Sequence, residues 1–521
     1  MPKRPSYSPA GTIGALVLCL WASAAGAAVH TPLIDAVRRQ DTAAVQALLK
    51  KGAKVNAPQP DGATALHWAT YLDDLTTVRA LLAAGANANA ANENGVAPLT
   101  LACENRDAAM VKALLAAGAN ANQTALPTGV TALMTCARTG DADAVRALLA
   151  RGAKVNAREG AHQQSALMWA AAERQPDAVR ALIEGGADVK ARSSIRHVAV
   201  TGGFSPTDPE SEKQKSVFEI DQGGYTPLLF AARSGDAASA ELLLNAGADV
   251  NDAAPDGASA LVVALLSGQS EAAKLLLDKG ADPNGAAAGY GPLHAAVLRG
   301  DAALVTALLA RGAKPDVAIV KGTPVPRYSK GFFLSSHMVG ATPFFLAAQF
   351  DEPEIMRALA QHGANPSLAK PDGTTPLMAA AGVGWDEDRR ERLVDPAEHD
   401  LALVQDPDTR ALMGSGLRSV QAAVELGADV NAANKAGDTP LHGAARHGFS
   451  SDIQFLADKG AKLDARNGAG QTPAMAAASA DDKVRAGVQA LIQKLGAIAP
   501  AKPAPTVVAS QPDHSPAKAA P

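Results

Sequence analysis

Three groups of residues in this 521-residue chain have types that could do chemistry: clustered carboxylates, recurring histidines, and a knot of aromatic and basic side chains. The carboxylates gather in the stretch 386–417. There nine of them (Asp386, Glu387, Asp388, Glu391, Asp395, Glu398, Asp400, Asp406, Asp408) accompany Arg389, Arg390, Arg392 and Arg410, a net charge of −5. Carboxylates this close can serve as general acid and base or hold a divalent cation. The stretch has no D-x-D-x-D-G loop, and guanidinium groups are interleaved where a cation site would exclude them. It reads as a solvated loop with internal ion pairs. His399 and Asp400 form a histidine–carboxylate pair in sequence only, with no nucleophile elbow to accompany it. His67, His294 and His442 recur without Cys, His or carboxylate partners at ligand spacing. Cys103 and Cys136 read as small-residue seats in the core rather than as a bridge or reactive thiols. No catalytic residue, metal ligand or cofactor site emerges.

The third group is KGTPVPRYSKGFFLSSHMVG, residues 321–340. Of the chain's ten Phe, five Tyr and four Trp, five fall between Tyr328 and Phe345. Aromatic and arginine side chains anchor protein interfaces. The candidate contacts are therefore Arg327, Tyr328, Lys330, Phe332 and Phe333, with Trp385 at the edge of the acidic stretch. Phe344 and Phe345 belong to the next helix and are assigned to packing. The aromatic and acidic stretches lie one ordinary unit apart. They either pack on each other side by side or frame a recognition surface.

The elements that must position these residues are repeats. Units begin at Thr31, Thr64, Ala97, Thr131, Ser165, Thr226, Ser259, Gly291, Thr342, Thr375, Thr439 and Thr472. Most spacings are 32 to 34 residues, and three are 61, 51 and 64. In each unit Thr-Pro or Thr-Ala opens a short helix, with proline in the first turn where its missing N–H costs nothing. A turn, often Gly-Asp, leads to a second helix with apolar residues three or four apart, such as Val145, Leu148 and Leu149. That helix stops at Gly-Ala, where glycine takes the left-handed cap. One such unit cannot bury its apolar face alone, so neighbours must stack.

TPLHGAA from Thr439, the L-L-x-x-G-A helix endings and the 33-residue period resemble the ankyrin repeat. The resemblance implies an all-α repeat solenoid of about 11–12 stacked helix-turn-helix units with hairpin-like tips, spanning 28–495. It is interrupted by insertions at about 195–222, 323–340 and 386–417. It also implies that His67, His294 and His442 tie adjacent loops together, and that hairpin tips and first helices recognise a protein partner. Trp68, Trp169 and Phe230 share one first-helix position and are assigned to packing between units. In the first insertion, Val198–Val200 and Val217–Ile220 are expected to pair as short strands, the whole forming a surface flap. The insertions are expected to project on one face. The Pro-rich stretch 496–521 reads as a disordered tail.

The first 27 residues carry Lys3 and Arg4, an apolar run from Ile13 to Trp21 and an A-x-A site at Ala25–Ala27. That pattern is a cleavable signal peptide, so the expected location is periplasmic or extracellular. Without those residues the balance is 46 basic to 52 acidic, which is no footprint for nucleic acid or an anionic membrane. The resulting expectation is a monomeric, non-enzymatic binding scaffold that needs no membrane insertion. The alternatives are an exported effector acting on a protein in another cell, or an enzyme with its site in the insertions.

Overall fold

The computed structural model describes residues 31–125, 128–202, 216–322, 338–384, 416–477 and 482–498. These hold twelve pairs of helices. The residue preceding each first helix is the Thr, Ser, Ala or Gly that marks a unit in the sequence, from Thr31 to Thr472. The capping chemistry explains the agreement. The hydroxyl of Ser259 accepts the amide of Val262 at 3.3 Å, and that of Thr342 accepts Phe345 at 3.2 Å. Such caps satisfy amides that the first turn leaves without an intrahelical partner.

The turns between paired helices work in the same way. Asp41, Asp74, Asp141 and Asp301 each accept the amide three residues on, at 2.9 to 3.0 Å, and so start the second helices. Each second helix but the last ends on a glycine in the left-handed region, as at Gly152, where φ is 79°.

The chain divides into two compact units, Met1–Val198 with Asp221–Pro255, and Ala199–Ile220 with Asp256–Pro521. In the first, helices from adjacent repeats bury Leu66, Leu81, Leu133, Leu148, Leu167 and Leu182. In the second, Leu276, Leu308, Phe344, Leu359 and Leu441 do the same. Burying each such side chain contributes about 2 kcal/mol. Phe344 and Phe345 are fully enclosed, as their assignment to packing expects.

Cys103 and Cys136 are disulfide-bonded, which corrects their reading as separate core seats. The seats are real: both residues are wholly buried at positions that alanine fills in most other units. Small side chains let the helices Pro98–Asn105 and Ala132–Thr139 approach closely. The two Cα atoms come within 4.6 Å, inside the span a disulfide bridges.

Strands are few among the described residues. Thr124–Ala125 pairs antiparallel with Val130–Thr131, register Thr124 opposite Thr131. The first insertion forms the expected ribbon, with longer strands, Ile195–Gly202 pairing with Ser216–Gly223. Gly223 closes its foot at φ 97°, where a Cβ would sit 2.0 Å from the Ser194 carbonyl oxygen. The final helix runs Asp482–Ile498, three residues into the stretch read as tail.

Candidate functional site

The hairpin tips are closed by backbone hydrogen bonds in a repeated scheme. The first tip residue donates its amide to a carbonyl four residues on: Gln59 to Ala63 at 2.8 Å, Lys370 to Thr374 at 2.9 Å, Asn434 to Asp438 at 3.0 Å. The tip glycine donates back, Gly62 to Gln59 at 2.9 Å and Gly373 to Lys370 at 2.8 Å. At several tips one further bond pins the tip to the one before it. Within the first compact unit Glu93 donates to Asp61 at 2.9 Å and Gly160 to Thr128 at 2.7 Å. Within the second, Lys435 donates to Asp372 at 2.9 Å and Gly468 to Ala436 at 2.7 Å. The backbone is thus spent on itself, while Pro60, Glu93, Pro371, Lys435 and Ala436 face solvent.

A second chain of bonds runs behind the tips. Asn56 donates its side-chain amide to the Gly85 carbonyl at 3.0 Å and accepts the Asn87 amide at 2.7 Å. Asn89 repeats the clamp on Gly118 and Asn120, and Asn122 on Gly152 and Lys154. In the second unit Asn284 clamps Gly312 and Lys314, and Asn431 clamps Gly460 and Lys462. Lys190 and Ser367 stand at the corresponding positions of their repeats and cannot make the clamp.

The first helices carry the aromatic register. The Trp68 indole donates to Gln59 Oε1 at 2.8 Å, and the Arg38 guanidinium lies 4.7 Å above its ring. Trp169 and Phe230 are equally enclosed, so these side chains are packing, with only their edges at the surface. Arg138 and Glu104, on adjacent first helices, form an ion pair at 2.5 Å.

The histidines are structural. His67 Nδ1 accepts the Thr64 amide at 3.1 Å, which leaves Nε2 to carry the proton and donate to the Val96 carbonyl at 3.1 Å. His442 repeats this with Thr439 and Gln471 at 3.2 and 3.0 Å. His294 accepts the Gly291 amide at 3.1 Å, but its buried Nε2 has no acceptor in hydrogen-bonding geometry. His67 and His442 therefore tie adjacent loops as expected, while His294 caps its own helix and engages the backbone of Val317 and Ala341 in the following loop only weakly. Burial lowers the His67 pKa and pushes that of His294 down to about 4.

Arg327, Tyr328, Lys330, Phe332, Phe333 and Trp385 lie outside the described residues, as does the acidic stretch up to residue 415. The flanks of each insertion are described, and they show where it attaches. Ile319 donates to Ala341 at 2.9 Å and Gly340 donates to Ile319 at 2.7 Å, the tip scheme again. The second insertion therefore leaves from a hairpin tip, between exposed Val320 and Val339. The first also leaves from a tip, where Ser193 donates to Tyr225 at 3.0 Å. Its foot is clasped by Arg192, which reaches the Gly224 and Ala253 carbonyls at 2.9 and 3.0 Å and pairs with Asp252.

The third insertion lies instead between helices Pro376–Ala380 and Leu417–Glu425, after the C-terminus of a first helix. The three insertions therefore do not all attach at the same turn of the repeat; where they project lies outside the described residues. The second and third insertions are anchored at opposite ends of the first helices, so their attachment points do not lie side by side. The tip bonds, the Asn clamps and the Arg192 clasp were not assigned from sequence. The recurrence of Asn three residues past Gly-Ala was the available signal for the clamps.

No group of three or more His, Cys, Asp or Glu residues that could hold a metal ion occurs among the described residues. No described helix is long and apolar enough to cross a membrane.

Paired helices, pinned tips and shared cores define a helical repeat solenoid. A family model described as ankyrin repeats (3 copies) matches residues 15–92, 33–125, 99–193, 210–287, 228–319 and 293–387. A second, ankyrin repeats (many copies), matches residues 409–457. The chain belongs to the ankyrin repeat family, whose arrays are generally protein–protein interaction modules. A similar solved structure is that of the human ASB11 ankyrin repeat domain. It is 25% identical with TM-score 0.38, over 48% of this chain and 98% of that one. The comparison with curated proteins gives no match.

Proposed function

We propose that this chain is an exported, non-enzymatic scaffold that binds a protein partner through its hairpin tips and first helices, with the insertions extending that surface. One observation carries the reading: a tip backbone whose bonding recurs from repeat to repeat while its outward side chains differ. Pro60, Glu93, Pro371 and Lys435 share one frame and no common chemistry. A pre-ordered frame binds with little conformational cost, and varied side chains suit an irregular protein surface. Export is supported by the N-terminal basic, apolar and A-x-A pattern. The Cys103–Cys136 bridge also supports it, since such bonds persist in oxidising compartments.

Photo-crosslinking groups placed at Glu93 and Lys435 on the tips, and at Arg180 and Lys274 on second helices, test this reading. Cells carrying these variants should yield one crosslinked partner from the tip positions only. Equal crosslinking from the second helices would overturn the assignment. N-terminal sequencing of the protein from a periplasmic fraction should begin just after Ala27, and an uncleaved cytosolic form would refute export.

A further inference from the structure

The bridge lies inside the repeat stack. Helix Pro98–Asn105, which holds Cys103, packs between Ala65–Tyr71 and Ala132–Thr139, and the latter, holding Cys136, packs in turn on Ala166–Ala172. Both cysteines are 0% exposed. Hydrogen bonds hold the bridged interface and the one before it. Asn105 Nδ2 donates to the Thr70 carbonyl at 2.6 Å, and Thr139 Oγ1 donates to the Cys103 carbonyl at 3.0 Å.

A disulfide forms or breaks when a third sulfur attacks it, through a mixed disulfide. The closed stack leaves no approach for that third sulfur. We propose that the bridge is installed by thiol–disulfide exchange while the repeats starting at Ala97 and Thr131 are still open, and that completion of the stack then seals it against both oxidant and reductant. The inference stands apart from the partner-binding reading.

The step balances with a disulfide-carrying oxidant. The thiolate of one cysteine attacks the oxidant's disulfide, joins one of its sulfurs and expels the other as thiolate. The second cysteine thiolate then attacks the first cysteine's sulfur and displaces the remaining oxidant thiolate. Two electrons pass to the oxidant, and the two protons lost by the cysteines end on its thiols. In the open chain either cysteine can attack first. Once Leu101, Ala102 and Leu133 are buried around the pair, neither sulfur can be reached without parting two repeats.

The test uses the purified mature chain and excess dithiothreitol, with thiols counted by alkylation and mass spectrometry. Reduction in native buffer should be at least about tenfold slower than in urea, because it must wait for local opening. Thr139→Val loosens the bridged interface itself and Asn105→Ala the one before it, and both should accelerate native reduction, whereas Asn431→Ala, in the other compact unit, should not. Conversely, the reduced chain should be oxidised by glutathione disulfide more slowly after refolding than in urea. If the reduced chain does not refold, the native reduction rates decide alone. Two free thiols in the purified protein, or native reduction as fast as in urea, would overturn the proposal. So would acceleration by Asn431→Ala without acceleration by Thr139→Val.

Discussion

At the scale of single residues, the three repeat histidines show how one side chain acquires different duties from its surroundings. His67 and His442 spend both ring nitrogens, one on their own helix start and one on the next repeat. His294 makes one well-formed bond, and its enclosed ring resists charge, with a pKa pushed down to about 4. The unfolded chain, where this histidine titrates near 6.5, takes up the proton first as the pH falls. Its contribution to stability is therefore complete above about pH 6.5 and is lost progressively down to about pH 4, by about 3 kcal/mol in all. Urea denaturation of the wild type and of His294→Gln at pH 7.5 and pH 4.5 should show a smaller acid loss in the variant. An equal loss in both would place the acid sensitivity elsewhere.

At the scale of elements, the Asn clamps decide how strongly one repeat holds the next. Each replaces two solvent contacts with bonds to a carbonyl and an amide of the following repeat, worth about 1 kcal/mol apiece. Asn89→Ala should cost about 1–2 kcal/mol and raise hydrogen exchange in residues 118–122 before other segments. Lys190 interrupts the series after Asn156. Lys190→Asn would offer the missing bonds to the Gly247 carbonyl and the Asp249 amide, and should protect amides 247–251. No gain in protection there would mean that the clamp geometry is lost beyond the ribbon insertion.

At the scale of the whole molecule, the tip insertions are additions to a frame that would close without them. Gly291 and Thr342 stand 51 positions apart, eighteen more than the 33-residue period. Removing residues 321–338 would leave Ile319-Val320-Val339-Gly340-Ala341, the same length as Gln59-Pro60-Asp61-Gly62-Ala63. With Val339→Asp, the Ala341 amide would regain the acceptor that Asp61 offers Ala63 at 2.9 Å. The shortened chain should fold and lose no more than about 2 kcal/mol, most of it from buried Met338, as measured by urea titration. A chain that fails to fold would show that the insertion is part of the core.

The same frame explains what was legible in the sequence. Every first-helix start from Thr31 to Thr472 is readable, because capping residues and period are local signals. The bridge was hidden although Cys103 and Cys136 stand 33 residues apart, one repeat period. Cysteine also suits the small-residue seats, and only the close approach of two helices separates the readings. The side on which an insertion leaves was hidden too, because it depends on which turn of the repeat is opened, and the insertion's composition carries no mark of that.

Helix Leu417–Glu425 follows Gly416, which has no side chain to cap it. Asp351, from the repeat before, does so instead: it accepts the Ser419 amide at 3.0 Å and holds Arg418 at 3.0 Å. The repeat beginning at Thr375 therefore borrows its second helix start from the one beginning at Thr342. Ankyrin arrays are often pictured as interchangeable bricks, but these two form a single brick of double length. Anyone shuffling repeats of this chain must move them together, and a change at Asp351 will be felt one repeat downstream of where it is made.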